Sequence, residues 1–178
     1  MDLSAEAVIA FLQRHQDWSF PVAMIFAAAE TTAFLSLLVP STAILVAVGG
    51  AVAAGAFAFL PIWAGAAIGA VLGSTFSWWL GRRYGVWMLT VWPLRDHPAL
   101  VERAAESFRT WGGLAVFLGH FIGPLRPVVF LFAGMTRMGF WRFQGLNLPG
   151  ALAWAYAVPK FGEIGGLILA WIWRVLGI

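Results

Sequence analysis

Between Thr31 and Gly81 the chain runs for 51 residues without an Asp, Glu, Lys, Arg or His. A bilayer-spanning helix needs only about 20 apolar residues. No water-soluble core of a 178-residue chain has room for an uncharged stretch of this length. Charged residues make up 11% of the whole, against about a quarter in soluble domains. Soluble enzymes and nucleic-acid modules are thereby excluded, and the reading is an all-α integral membrane protein of one domain, residues 1–178.

The charges that remain say more about orientation than about partners. Ten of the eleven cations are Arg, and the net charge is +3. Arg82, Arg83, Arg95, Arg103 and Arg109 fall in the one long polar stretch, residues 81–110, and Arg137 and Arg142 follow later. The positive-inside rule places these segments in the cytoplasm. With no Cys there is no disulfide, thiol nucleophile or iron–sulfur site. Asp2 and Glu6 precede the first Arg, which does not resemble a cleaved signal peptide.

Two amphipathic helices are expected, at residues 4–16 and 98–110. In the second, Leu100, Ala104, Phe108 and Trp111 share a stripe, with Glu102, Arg103, Glu106 and Arg109 elsewhere. Pro61 starts a spanning helix in which Gly65, Gly69, Gly73, Ser77, Gly81 and Gly85 recur every four residues. Such a stripe lets another helix approach closely, either within the chain or in a homodimer. A further spanning helix is expected over about 143–158, a turn at 159–163, and a last helix over 164–178.

Two apolar segments are broken. Residues 18–56 contain Pro40-Ser41-Thr42, and residues 111–135 contain Gly123, Pro124, Arg126 and Pro127. Irregular backbone at membrane depth is tolerated only inside protein or beside a watery cavity, so each is expected to be a re-entrant hairpin. They align without gaps at an offset of 84 residues: Pro40 on Pro124, Thr42 on Arg126, Gly50 on Gly134, Gly55 on Gly139. This predicts two repeats, at about 18–81 and 111–160. The Arg distribution makes them inverted, one hairpin opening outward and the other inward. Broken segments in corresponding places of two halves point to a transporter's binding site.

Glu30 and Arg126 are charges in apolar surroundings, each costing about 2.5–3.5 kcal/mol at a helix centre. Each therefore needs a partner, water or a proton. The planar guanidinium of Arg126 suits a phosphate group. Glu30 would carry a proton or pair with Arg126 when the site is empty, and a permanent Glu30–Arg126 pair is the structural alternative. His120 suits a proton relay or a headgroup contact. Ser41, Thr42 and backbone N–H groups near Gly123 are further donors, and Asn147 is a brace on the next helix. The substrate-binding set is thus Glu30, Ser41, Thr42, His120, Arg126 and Asn147, with Glu30 and His120 as proton-coupling candidates. No cofactor or metal is expected. There is no GxxxxGK[ST], HExxH or GxSxG, and an enzyme is the least expected class.

Four motifs carry a resemblance. They are Glu30 with Pro40-Ser41-Thr42 and Gly49-Gly50; Gly81-Arg82-Arg83-Tyr84-Gly85; Gly119-His120-Phe121-Ile122-Gly123-Pro124-Leu125-Arg126-Pro127, backed by Ala133-Gly134, Met138 and Phe143; and Asn147, Gly150, Trp154 and Gly162. In order, over about residues 28–166, they resemble the DedA family, also called VTT or SNARE-associated Golgi proteins. The resemblance implies two facing re-entrant hairpins in a multi-pass bacterial inner-membrane protein that moves lipids between leaflets. Bacterial members are linked to undecaprenyl phosphate recycling or phosphatidylethanolamine translocation, and proton coupling has been proposed for some. By motif position, Glu30 and Arg126 match the family's membrane acid and second arginine. Three positions depart: Thr42 stands where many members have a second acid, His120 where the first arginine is usual, and Ser74 where Asp is common. The expected partners are phospholipids or a polyprenyl phosphate. The rivals are a proton-coupled exporter of small cations or drugs and a non-catalytic assembly factor.

Overall fold

The computed structural model describes residues 16–32, 58–92 and 94–176, and the elements among them are all helical. Residues 4–15 of the helix expected at 4–16, the break at Pro40-Ser41-Thr42, and Gly49, Gly50 and Gly55 lie outside the described residues. So does the first half of the repeat alignment.

Helix α1, Ser19–Thr31, follows a 3-10 turn at Gln16–Trp18. Helix α2, Phe59–Tyr84, holds Pro61 in its first turn, where a missing N–H costs nothing. At about 1.5 Å per residue it is roughly 39 Å long. With the 3-10 turn that follows it, Phe59–Thr90 is long and apolar enough to cross a membrane.

The glycine stripe of α2 is used within the chain. Gly65 sits against the Phe20 backbone, Gly69 against Met24 and Gly73 against Ala28. Ser77 donates to the Thr31 carbonyl at 2.9 Å. These pairs rise together along both helices, so α1 and α2 are parallel. The opposite face of α2 carries Leu60, Ile68, Leu72, Phe76 and Trp79, all exposed. Small residues toward protein and large apolar residues outward is the arrangement a lipid-facing helix requires.

Gly85, at φ +57°, ends α2. After 3-10 turns at Gly85–Thr90 and Leu94–Asp96 comes α3, Pro98–Trp111, with proline at its start. Ala104 is buried and Val101 and Phe108 pack on the core, while Trp111 is exposed.

Helix α4, Leu114–Gly119, and helix α5, Arg126–Met135, flank a break that includes a 3-10 turn at Gly123–Leu125. Pro124 and Pro127 have no N–H to give to preceding carbonyls, so a continuous helix through them is unfavourable. The two limbs fold back on each other. Gly119 lies against Val129, and at the open end Gly113 lies near Met138. The turn out of α5 bonds Arg137 N–H to the Gly134 carbonyl and Met138 N–H to that of Ala133, with Arg137 at φ +57°. This is the Schellman pattern, with arginine where glycine is usual.

Helix α6, Phe140–Leu176, departs from expectation. It begins before residue 143 and runs unbroken through Pro149 and Pro159, so there is no turn at 159–163. Each proline removes one backbone donor, whereas a turn would free several polar groups in an apolar setting that cannot hydrate them. Helix α6 is antiparallel to α2: Gln144 meets Thr75, Leu152 meets Trp63, and Tyr156 meets Phe59.

Two apolar clusters form the interior. One joins Trp78, Val116, Val128, Phe130, Leu131 and Phe143. The other joins Ala23, Ala27, Ile62, Ala66, Ala70 and Trp154. Helix α2 sends Ala70 to one and Trp78 to the other, with buried Ser74 between. Helix α6 does the same with Ala151 and Phe143, with buried Asn147 between. A polar layer therefore separates two apolar ones.

Candidate functional site

That polar layer contains Glu30, Thr31, Ser74, Ser77, His120, Arg126, Gln144 and Asn147, all buried. It inverts the usual pattern, with polar groups inside and large apolar side chains outside. In a membrane such groups line functional interiors.

Arg126 is its largest buried charge. It opens α5 at the inner end of the hairpin, where the proline break presents its side chain to the rest of the protein. Its Nη1 lies 3.2 Å from Oε1 of Glu30, one residue from the end of α1, with the two side chains 1% and 7% exposed. The guanidinium carbon lies 4.2 Å from the centre of the Trp154 ring on α6. Three elements thus hold one cation: a carboxylate from α1, an aromatic face from α6 and the helix that bears it. A cation over a desolvated indole gains about 2 kcal/mol. The hold is incomplete, because Nε and Nη1 find no aligned hydrogen-bond acceptor among the described residues. A guanidinium has five N–H donors, and the described residues leave some of this one's without an acceptor.

His120 is fully buried at the inner end of α4. Its Nε2 is 3.0 Å from Oδ1 of Asn147. Asn147 donates to Gln144 at 3.0 Å, and Gln144 donates to the Thr75 hydroxyl at 2.8 Å. The ring also packs on Phe130, at 4.8 Å between centroids. Gly150 makes room for it: a Cβ there would lie 2.6 Å from His120 Cδ2. Nδ1 of His120 has no hydrogen-bond partner among the described residues.

Of the residues expected to bind substrate, the structure brings Glu30 to Arg126 and His120 to Asn147. Ser41 and Thr42 lie outside the described residues. Ser74 is buried and donates to the Val71 carbonyl at 3.0 Å. Arg82 donates to the carbonyl of Arg137 at 3.2 Å and lies over the Trp78 ring, pinning the α5–α6 turn to the end of α2. Trp154, Gln144 and Thr75 were not expected in the site. The signal for Gln144 was its spacing: with Asn147 it makes an i, i+3 polar pair in an apolar helix. Trp154 was part of the fourth motif, but its place over Arg126 depends on a cross-helix contact that no spacing shows. Among the described residues no three His, Asp or Glu side chains cluster as metal ligands. Chemically, the arrangement offers an anion a buried cation whose present partner is a carboxylate that a stronger anion can displace.

Residues 39–164 match the family model of the VTT domain. The chain is 27% identical over 159 residues to the inner membrane protein YabI of Escherichia coli K12, covering 89% of this chain and 61% of that protein. It is 34% identical over 106 residues to an uncharacterized membrane protein of Mycobacterium tuberculosis H37Rv, covering 57% of this chain and 49% of that one. A membrane protein of Buchnera aphidicola from Acyrthosiphon pisum, also named as uncharacterized, is 25% identical over 145 residues, 82% of this chain and 57% of that one. The chain spans about half to three-fifths of the length of these relatives. No solved structure matches.

Proposed function

The chain belongs to the VTT-domain, or DedA, family of membrane proteins, and from that premise we propose that it carries a phosphate-bearing lipid between the leaflets of a bacterial inner membrane. The substrate is a polyprenyl phosphate such as undecaprenyl phosphate, or phosphatidylethanolamine. The protein acts as a carrier and not as an enzyme.

The observation that carries this reading is the buried Arg126, held by Glu30 and Trp154 and with donors that no described residue accepts. A phosphate entering the site replaces the Glu30 carboxylate on the guanidinium, since a phosphate matches the planar fork and brings more negative charge. Glu30 then takes a proton or water, which links movement of the headgroup to protonation. Acyl chains remain in the bilayer, along the apolar outer faces of α2 and α6.

The topology fits alternating access. Helices α1 and α2 run parallel, and Glu30 lies near the far end of α1. The α4–α5 hairpin enters from the other end of α2, and the two approaches meet at Glu30 and Arg126. Multiple crossings, by α2 and α6, and inverted repeats follow from this reading.

The test is translocation in proteoliposomes. Labelled undecaprenyl phosphate and phosphatidylethanolamine are compared with and without a pH gradient, for wild type and Arg126→Ala. Wild type is expected to move one of them, and a folded Arg126→Ala protein to lose at least about a hundredfold in rate, as expected from ~3 kcal/mol for a lost charged contact. A well-folded wild type that moves neither lipid overturns the reading in favour of a small-cation exporter or an assembly factor.

A further inference from the structure

The four-residue chain from Thr75 to His120 has a direction, and its far end sets it. A threonine hydroxyl has one hydrogen. Thr75 uses it on the Val71 carbonyl, at 2.6 Å. Its oxygen can then only accept, so the Gln144 atom 2.8 Å away must be the amide nitrogen. That turns the Gln144 carbonyl toward Asn147, which must present its own nitrogen at 3.0 Å. The Asn147 carbonyl is left facing His120 Nε2 at 3.0 Å, and Nε2 must carry a hydrogen. In a neutral imidazole the other nitrogen is then a bare acceptor. That nitrogen, Nδ1, is buried without a hydrogen-bond partner among the described residues.

We propose that Thr75, Gln144 and Asn147 are positioning residues that fix His120 as its Nε2–H tautomer and so offer Nδ1 as a hydrogen-bond acceptor to the transported group. Asn147 and Gln144 come from α6, Thr75 from α2 and His120 from the hairpin, so the chain also ties ring orientation to the packing of three elements. Resting on the lipid-carrier reading, it deepens the specificity of that site. Arg126 donates and His120 accepts, and together they match a headgroup that carries both an anionic oxygen and a proton donor. A phosphate monoester with one acidic hydrogen has both on one phosphorus. A fully esterified, donor-free phosphate does not.

The tautomer is measurable without transport. The full chain, labelled with 15N-histidine, is placed in lipid nanodiscs, and His120→Gln identifies the His120 signals among the three histidines. Wild type is expected to show an unprotonated Nδ1 and a protonated Nε2 at neutral pH. Thr75→Ser keeps the hydroxyl and should keep this pattern. Thr75→Val frees Gln144 and Asn147 to turn over, and the preference should fall by about tenfold or more, on the scale of one buried hydrogen bond. An Nδ1–H ring or an imidazolium in wild type overturns the proposal, as does a Thr75→Val protein with an unchanged tautomer. In liposomes, translocation of a polyprenyl monophosphate should slow in Thr75→Val and hold in Thr75→Ser. A wild type that moves no lipid but shows the Nε2–H ring leaves the positioning role standing and defeats the carrier reading instead. Equal monophosphate transport by wild type and Thr75→Val defeats the specificity role.

Discussion

Arg126 and Glu30 stabilise each other only as a pair. Taking two ions out of water costs several kcal/mol each, and their attraction does little more than offset that. Removing one partner is worse than removing both. Arg126→Met should therefore destabilise the protein by about 3 kcal/mol, because Glu30 is left without the guanidinium beside it. Glu30→Gln with Arg126→Met should recover most of that loss. The measurement is chemical unfolding in detergent across the double-mutant cycle, and near-additive costs for the two changes would contradict the pairing. The recovered double variant should still fail to move lipid, which separates the pair's part in stability from its part in transport. At this scale the sequence was readable wherever a residue violated its surroundings. A carboxylate or guanidinium in an apolar segment announces itself, as Glu30 and Arg126 do, and Asn147 was expected as a brace. Trp154 stood out only as part of a motif, without a role, and Thr75 not at all, since an indole or a threonine is unremarked in a membrane helix until a neighbour from another element is placed against it.

Glycines show the same divide at the scale of helices. The four-residue spacing of Gly65, Gly69 and Gly73 foretold a close helix contact, and the structure places α1 there. A Cβ on Gly69 would lie 3.0 Å from the Ala28 backbone nitrogen, with no flexible side chain to yield. Gly145, on α6, is exposed and has nothing within 4 Å. The two should respond oppositely to a side chain. Gly69→Leu should cost roughly 1–3 kcal/mol by forcing α1 off α2. Gly145→Ala should gain up to about 1 kcal/mol from helix propensity alone. Thermal unfolding of both in the same detergent decides this, and a Gly69→Leu protein as stable as wild type would mean that the α1–α2 contact is not built as described. Spacing did not foretell the course of α6. Pro159 reads locally as a stop, yet the helix passes through it, because in an apolar setting one lost hydrogen bond is cheaper than an open turn.

For the whole molecule, the distribution of arginine and the direction of the helices are independent facts that must agree. Arg82 and Arg137 meet at the C-terminal end of α2, and Arg142 lies beside Gly113 at the open end of the hairpin. The positive-inside rule predicts that this end is cytoplasmic. Parallel α1 then starts from the other side, and the hairpin from this one. The sequence offered the charges and the breaks, but not which helices run parallel, since that depends on contacts between residues more than 40 apart, such as Ser77 with Thr31. The chain's lack of cysteine makes the arrangement directly testable. Single cysteines at Ala58, Arg95, Arg109 and Gly139 bracket α2 and the hairpin. In sealed, right-side-out cells an impermeant maleimide should label Ala58→Cys, while Arg95→Cys, Arg109→Cys and Gly139→Cys react only after the membrane is opened. Arg109 and Gly139 are the informative pair. They flank α4 and α5, and a segment that crossed the bilayer would put them on opposite sides. Labelling of both from the cytoplasm requires the segment between them to dip in and return, carrying Arg126 to Glu30 without crossing.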